Sequence, residues 1–285
     1  MLKHNYSFEA IGTPWSIETA QPIPVHVKKV IQQRIQSFDA VYSRFREDSL
    51  ITQISKQAGR YTFPNDATKL FDFYKQLYGI TNGKVTPLIG DMLSRAGYDA
   101  RYSLKPQPLA TLPDWGQVMS WDGSILTTTQ PITLDVGAAG KGYLVDIIAE
   151  ILDGYSISEY VVDASGDLRH KGTTENIVGL EHPANPGKII GAVDVQNRSL
   201  CASASNRRIW GKGMHHIFDP DEKAPTQDIL ATWVIADETM IADGLATALF
   251  FVEPKILQHH YTFEYLRMYA SGGVEYSAYF KDKIF

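Results

Sequence analysis

Cysteine is almost missing from this chain of 285 residues: Cys201 is the only one. No internal disulfide can form, so nothing in the fold calls for an oxidising compartment. A basic excess is missing too. Lys and Arg number 27 against 32 Asp and Glu, a net charge of −5, which argues against a nucleic-acid surface. The opening stretch MLKHNYSFEAIGTPW has no apolar run that would serve as a signal peptide or membrane span. The expectation is a cytoplasmic protein with no membrane span, an exported form with its leader removed being the alternative. Zinc-type Cys/His spacing is absent, as is a Gly-x-Ser-x-Gly nucleophile elbow. Repeats, low-complexity runs and free linkers are absent as well. What remains is ordinary for a globular protein, 44% apolar and 21% charged, and long enough to bury a core without staples.

The patterning predicts an α+β fold: a single compact unit over 1–285, with mixed or antiparallel sheets covered by helices. Two interlocked lobes, about 1–115 with the C-terminal part and 116–235, are the other arrangement. Residues 6–19 alternate around Gly12-Thr13-Pro14 and read as a strand pair or a bent strand. Amphipathic spacing predicts helices from Pro24 to Tyr42 and from Asp66 to Tyr78. Residues 80–90 read as a turn-rich connection and 100–114 as irregular. Asp122-Gly123 between two apolar runs is a hairpin signal. Strands are expected at 160–165, 176–182, 188–195 and 198–205. A last strand, 231–237, feeds a helix from Glu238 to Phe251.

The stretch 132–153, ITLDVGAAGKGYLVDIIAEILD, organises the rest. It reads as a strand ending at Asp135, a small-residue turn from Gly137 to Gly140, Lys141, and a helix stopped by Gly154. Such a turn admits close approach of a ligand. The helix N-terminus and Lys141 would then seat a phosphate or pyrophosphate; an ordinary strand–turn–helix corner is the plain alternative. A Walker A loop needs glycine at Asp135 and Ser or Thr at Gly142, and a dinucleotide fingerprint needs glycine at Ala139. Both are excluded.

Asp243 and Thr247, four apart, project from one face of the last helix. A carboxylate beside a hydroxyl suits a hard cation such as magnesium, and the small apolar surround makes a bare aspartate costly to bury. Of His215 and His216, adjacent on an extended chain, at most one can face a site as a general base. Ser203, Ser205, Arg207 and Arg208 are candidate phosphate donors, or else a solvated edge strand. Either Asp163 or Asp167 could orient another residue or make an Asx turn. His170, His259 and His260 read as surface residues.

Five stretches in this order, LDVGAAGKGYLVD (134–146), VVDASGDLRHKG (161–172), LCASASNRR (200–208), HHIFDP (215–220) and ADGLATALF (242–250), together resemble the ApbE family of FAD:protein FMN transferases. The resemblance reaches back through IGTPW (11–15), YSRFREDSLITQIS (42–55) and GKVTPLIG (83–90). It implies an ApbE-like fold and a magnesium-dependent enzyme that cleaves FAD. FMN would pass to a Thr or Ser hydroxyl in the flavinylation motif of an acceptor flavoprotein, with AMP released. It further implies that Asp243 and Thr247 bind the metal, with Ala138 or a neighbouring turn carbonyl. Asp135 and Lys141 would contact FAD. Ile11, Phe45, Lys84, Val85, Thr86, Ser203 and Ile217 match positions about the cofactor, and His216, with Asp243, would carry the catalysis. The chain departs from the family's usual Gly-Gly-Ile-Ala-Lys-Gly in having Gly137-Ala-Ala-Gly-Lys-Gly142. It has Ser203-Ala-Ser-Asn for Ser-Gly-Asp-Tyr, and Val85-Thr86-Pro87 for Phe-Asp-Pro. An FAD pyrophosphatase and a non-catalytic FAD-binding protein are the alternative functions.

Overall fold

The alternating N-terminal segment folds back on itself. His4–Ala10 pairs antiparallel with Thr13–Thr19, and the two residues between them, Ile11 (φ 45°) and Gly12 (φ 77°), carry the positive φ of a tight hairpin turn. A computed structural model describes residues 2–185, 187–211 and 213–285. The chain forms two compact units: Met1–Ile35, Ala139–Asn206 and Gln227–Phe285 make the first, Gln36–Ala138 and Arg207–Thr226 the second.

In the first unit the hairpin opens an eight-stranded sheet. Its spatial order is His4–Ala10, Thr13–Thr19, Tyr160–Asp163, Asp167–Lys171, Ser199–Ala204, Ile229–Ala236, Glu264–Tyr269 and Val274–Tyr276. Every pairing in it is antiparallel. Ile229–Ala236 is a near-continuous apolar run because both its faces are covered. Ala231, Trp233 and Ile235 join a core with Leu168, Leu180, Val193, Leu200, Leu266 and Phe280. Thr232 instead donates to the carbonyl of Ala246, in the helix Thr239–Ala248. That helix packs on the sheet beside a second one, Gly140–Gly154.

The second unit is built on the helix Ala67–Ile80, whose Leu70, Phe71, Phe73, Tyr74 and Leu77 are buried. A three-stranded antiparallel sheet, Gly59–Thr62, Ile125–Thr128 and Met119–Asp122, lies in the same unit. The Asp122-Gly123 hairpin is present, with Gly123 at φ 63°. Phe71 stacks on Trp121, ring centroids 4.3 Å apart. The amphipathic helix expected from Pro24 runs Val25–Tyr42. Among the described residues, no helix is long and apolar enough to cross a membrane.

Several local expectations need correction. Residues 132–135 form no strand: Ile132 donates to Ile54, the last residue of the helix Leu50–Ile54, and Asp135 to Pro87, two separate carbonyls in place of a ladder. Gly154 is the last residue of its helix, and the left-handed residue that ends it is Ser156 (φ 59°). The connection at 80–90 leads into the one-turn helix Pro87–Ile89 and then Gly90–Arg95. The run 231–237 is not the last strand, since two more follow the helix. His170 is 2% exposed and its Nδ1 accepts from the backbone of Asn197, so it is a core residue of the strand Asp167–Lys171.

Candidate functional site

Two helices of the first unit cap each other. Neither Ala139 nor Glu238, their N-cap residues, supplies a side-chain cap. The caps come from across the pair. Asp243 Oδ2 accepts the N–H of Gly142 at 2.9 Å. The two oxygens of Asp146 accept those of Thr239 (2.9 Å) and Met240 (2.8 Å). Each carboxylate thus meets the positive end of the neighbouring helix. The anion seat expected at the start of Gly140–Gly154 is therefore taken in part by the protein's own Asp243. Gly142 is where the helices touch: a Cβ there would stand 2.4 Å from the Thr239 carbonyl oxygen and 2.7 Å from Asp243 Cβ.

Lys141 follows at the same corner. Its Nζ lies 2.9 Å from Asp167 Oδ2 and donates to the Ala164 carbonyl at 3.1 Å. Burial alone would lower its pKa, but the Asp167 and Asp243 carboxylates outweigh burial and hold the ammonium above its ordinary value. Lys141 is charged at every physiological pH. The two candidate aspartates now separate. Asp163 stays within its own turn, accepting the Gly166 N–H three residues on, while Asp167, 1% exposed, faces Lys141. Cys201 sits among them, its thiol directed to the Thr239 carbonyl. Burial first, and then Asp167 and Asp243, push its pKa well above the ordinary value, so it supplies no nucleophile.

Thr247 stands one turn beyond Asp243, half-buried where Asp243 is buried. The donors here are carboxylate and hydroxyl oxygens, and two buried carboxylates stand beside one ammonium. A further hard cation would balance that charge. No cluster of three or more His, Cys, Asp or Glu in metal-binding arrangement occurs among the described residues. Carboxylate and hydroxyl oxygens are the donor types that a hard cation takes.

Two other positions of this unit were singled out. Ser203 lies on Ser199–Ala204, opposite Thr232; this strand is interior to the sheet and not a solvated edge. Ile11 is the β-branched hairpin residue held at φ 45°, a strained conformation of the kind found at ligand sites.

Ala138 is the last residue of the second unit's first stretch. In that unit Asp135 is bound to Arg44, whose Nε lies 2.5 Å from Oδ2, and it also accepts the Gly137 N–H. Arg44, 8% exposed, lies over Phe45 (4.3 Å) and Tyr98 (4.9 Å). The ring stacked on Phe45 is Tyr102, with centroids 5.5 Å apart and planes 12° apart. Lys84 pairs with Asp219 (2.6 Å) and Asp221 (3.2 Å). Thr86 caps the turn Pro87–Ile89, and Val85 is buried. A cavity of about 220 Å³ is lined by Tyr78, Thr86, Thr111, Asp114 and Asp221 among others. His215 is buried and its Nε2 donates to the Thr226 carbonyl at 2.8 Å, which makes it structural. His216 is half-buried and Ile217 buried. Arg44, Asp146 and the Tyr98–Tyr102 aromatics were missed because each acts through a partner distant in sequence.

The Asp135–Arg44 pair gives a pH prediction. Burial alone would raise the Asp135 carboxyl, but Arg44, the Gly137 N–H and Arg208 outweigh it and hold the pKa below the usual carboxylate value. Between that depressed value and the ordinary one near 3.9, the folded chain binds fewer protons than the unfolded chain. The pair's stabilisation is complete above about pH 5 and is lost as pH falls through the folded pKa. The difference in melting temperature between wild type and Asp135→Asn should therefore shrink progressively as pH falls below about 5. A difference that stays constant over that range would refute the assignment.

The ApbE family model matches residues 11–265. The FAD:protein FMN transferase of Haemophilus influenzae is 27% identical over 257 residues, covering 80% of this chain and 73% of the relative. That of Escherichia coli K12 is 21% identical over 258 residues, covering 80% and 72%. Among solved structures, the ApbE protein of Thermotoga maritima superposes with a TM-score of 0.85 at 19% identity, covering 99% of both chains. The flavin transferase ApbE of Vibrio cholerae gives 0.81 at 18%, again covering 99% of both. These likenesses agree with the expected antiparallel α+β fold.

Proposed function

The chain belongs to the ApbE family, and from that premise we propose that it is a magnesium-dependent FAD:protein FMN transferase. The acceptor is a Thr or Ser hydroxyl of a target flavoprotein, and AMP is the leaving group. The observation that carries the reading is the buried corner where Lys141 stands charged between Asp167 and Asp243, with Thr247 one turn further on. Such a corner suits a dinucleotide pyrophosphate and a hard cation, and has no obvious use in an inert helix pair.

Phosphoryl transfer asks a protein mainly to neutralise charge and to align nucleophile with leaving group. Asp243 and Thr247, with a carbonyl of the neighbouring turn, would hold the magnesium ion, which when bound supplies charge neutralisation on the pyrophosphate oxygens. Lys141 adds a fixed positive charge that needs no reorganisation during reaction. The acceptor oxygen forms a bond to the FMN phosphorus as the bond from that phosphorus to the AMP oxygen breaks. His216 takes the hydroxyl proton. The family resemblance also assigns FAD contacts to Asp135, Phe45 and the Lys84–Thr86 turn.

Incubation with FAD, magnesium and a flavoprotein bearing the acceptor hydroxyl should add phosphoester-linked FMN to that protein, seen by mass spectrometry, with an equal amount of AMP. An enzyme that binds FAD yet leaves the acceptor unlabelled would exclude transfer. AMP formed equally fast without acceptor would identify a hydrolase instead. His216→Ala should lower kcat by about 10²–10⁴-fold while the Kd for FAD changes little. A variant that loses FAD binding in proportion to rate would make His216 a binding residue only.

A further inference from the structure

The turn after Tyr160–Asp163 is pinned at every residue. Asp163 accepts from Gly166, Ser165 Oγ donates to the Pro14 carbonyl, Ala164 donates to the Asp167 carbonyl, and the Gly166 carbonyl accepts from Ala202. Ser165 (φ 60°) and Gly166 (φ 105°) are both left-handed. The turn delivers two groups to Lys141: the Ala164 carbonyl and the Asp167 carboxylate. The sheet fixes where Asp167 stands, since it is in register with Cys201 on the neighbouring strand.

Asp167 is an expensive residue for this place. It is 1% exposed, and apart from Lys141 neither of its oxygens has a hydrogen-bond partner among the described residues. Oδ2 lies 2.9 Å from Nζ of Lys141 as an ion pair. A buried carboxylate held only by one ion pair adds little to stability, and a neutral residue would cost less there. It cannot reach a ligand itself. Its one neighbour of consequence is Lys141, whose side chain is 20% exposed. An ammonium has three N–H groups; one is spent on Ala164 and another on Asp167, which leaves a third for a ligand.

We propose that Asp167 is the positioning residue of Lys141: with the Ala164 carbonyl it fixes the ammonium so that its remaining N–H meets a substrate phosphate oxygen. This rests on the transferase reading. The charged groups around Lys141 are Asp167 and Asp243, with the neutral Cys201 thiol beside them.

The test uses the full chain and the variants Asp167→Asn, Asp167→Glu, Lys141→Met and the Asp167→Asn/Lys141→Met double. Asp167→Asn should lower kcat by about 10²-fold, as expected for a misplaced group, with KM for FAD moved by less than about threefold. Asp167→Glu should restore at least about tenfold of that loss. In the Lys141→Met background the Asn change should cost less than about twofold, because the ammonium it serves is gone. Lys141→Met should lower Tm by about 10 °C by stranding Asp167, and the double variant should recover part of that. The proposal is overturned if Asp167→Asn keeps kcat within about threefold of wild type, or if the two losses multiply. It is equally overturned if the double variant melts no higher than Lys141→Met. Should the wild type release no AMP and label no acceptor, the transferase reading fails by itself, and the melting temperatures still decide the pairing. If Lys141→Met does not fold, the Asn and Glu variants at 167 carry the test alone.

Discussion

Asp243→Ala is expected to abolish FMN transfer, with a loss of about 10³-fold or more in kcat, since a bound cation contributes several kcal/mol of charge stabilisation. The same change removes the carboxylate that caps Gly142, which should cost about 1–2 kcal/mol of stability. The two effects can be separated. Asp243→Asn keeps an oxygen for the Gly142 N–H but gives up the charge that a hard cation needs. It should melt close to wild type and still be inactive. AMP release followed by chromatography at saturating magnesium, beside thermal melts of all three proteins, makes the comparison. Turnover by Asp243→Ala within about tenfold of wild type would remove Asp243 from the chemistry and leave it a helix cap.

How much of this was readable beforehand depended on how local each signal was. Asp243 and Thr247 were visible because an i, i+4 pair lies within one helix, in a surround of alanine and glycine. Asp146 was not, because what it caps begins 93 positions later. Arg44 looked like part of a charged loop, and its partner Asp135 is 91 residues away. The extended run at 132–135 has strand-like composition, yet whether an edge lies beside it is a tertiary fact. Glu264–Tyr269 escaped notice because Arg267 interrupts its apolar run. Arg267 is 4% exposed and paired with Glu275 at 3.1 Å, so a buried ion pair hid a core strand. The family resemblance supplied the fold without these contacts, but not their energetics.

Gly142→Ala should be strongly destabilising although it adds a single methyl group. In a solvated helix, alanine for glycine stabilises by about 1 kcal/mol. At Gly142 the added methyl would meet a backbone carbonyl at 2.4 Å and a Cβ at 2.7 Å, neither of which is the end of a flexible side chain. The helices Gly140–Gly154 and Thr239–Ala248 would have to part, and parting lengthens the Asp243 and Asp146 caps together. Overpacking of about 1–3 kcal/mol and one or two weakened caps outweigh the propensity gain, for a net loss of about 2–4 kcal/mol. That corresponds to a fall in Tm of roughly 10 °C. Gly154 is the control. It is the last residue of the same helix, and a Cβ there meets nothing within 4 Å. Gly154→Ala should hold or slightly raise Tm, because only the chain entropy changes. Differential scanning calorimetry of the two variants decides the matter: equal melting temperatures would mean that the helices have room to spare at Gly142 and that their close approach does not hold the Lys141–Asp243 corner in place.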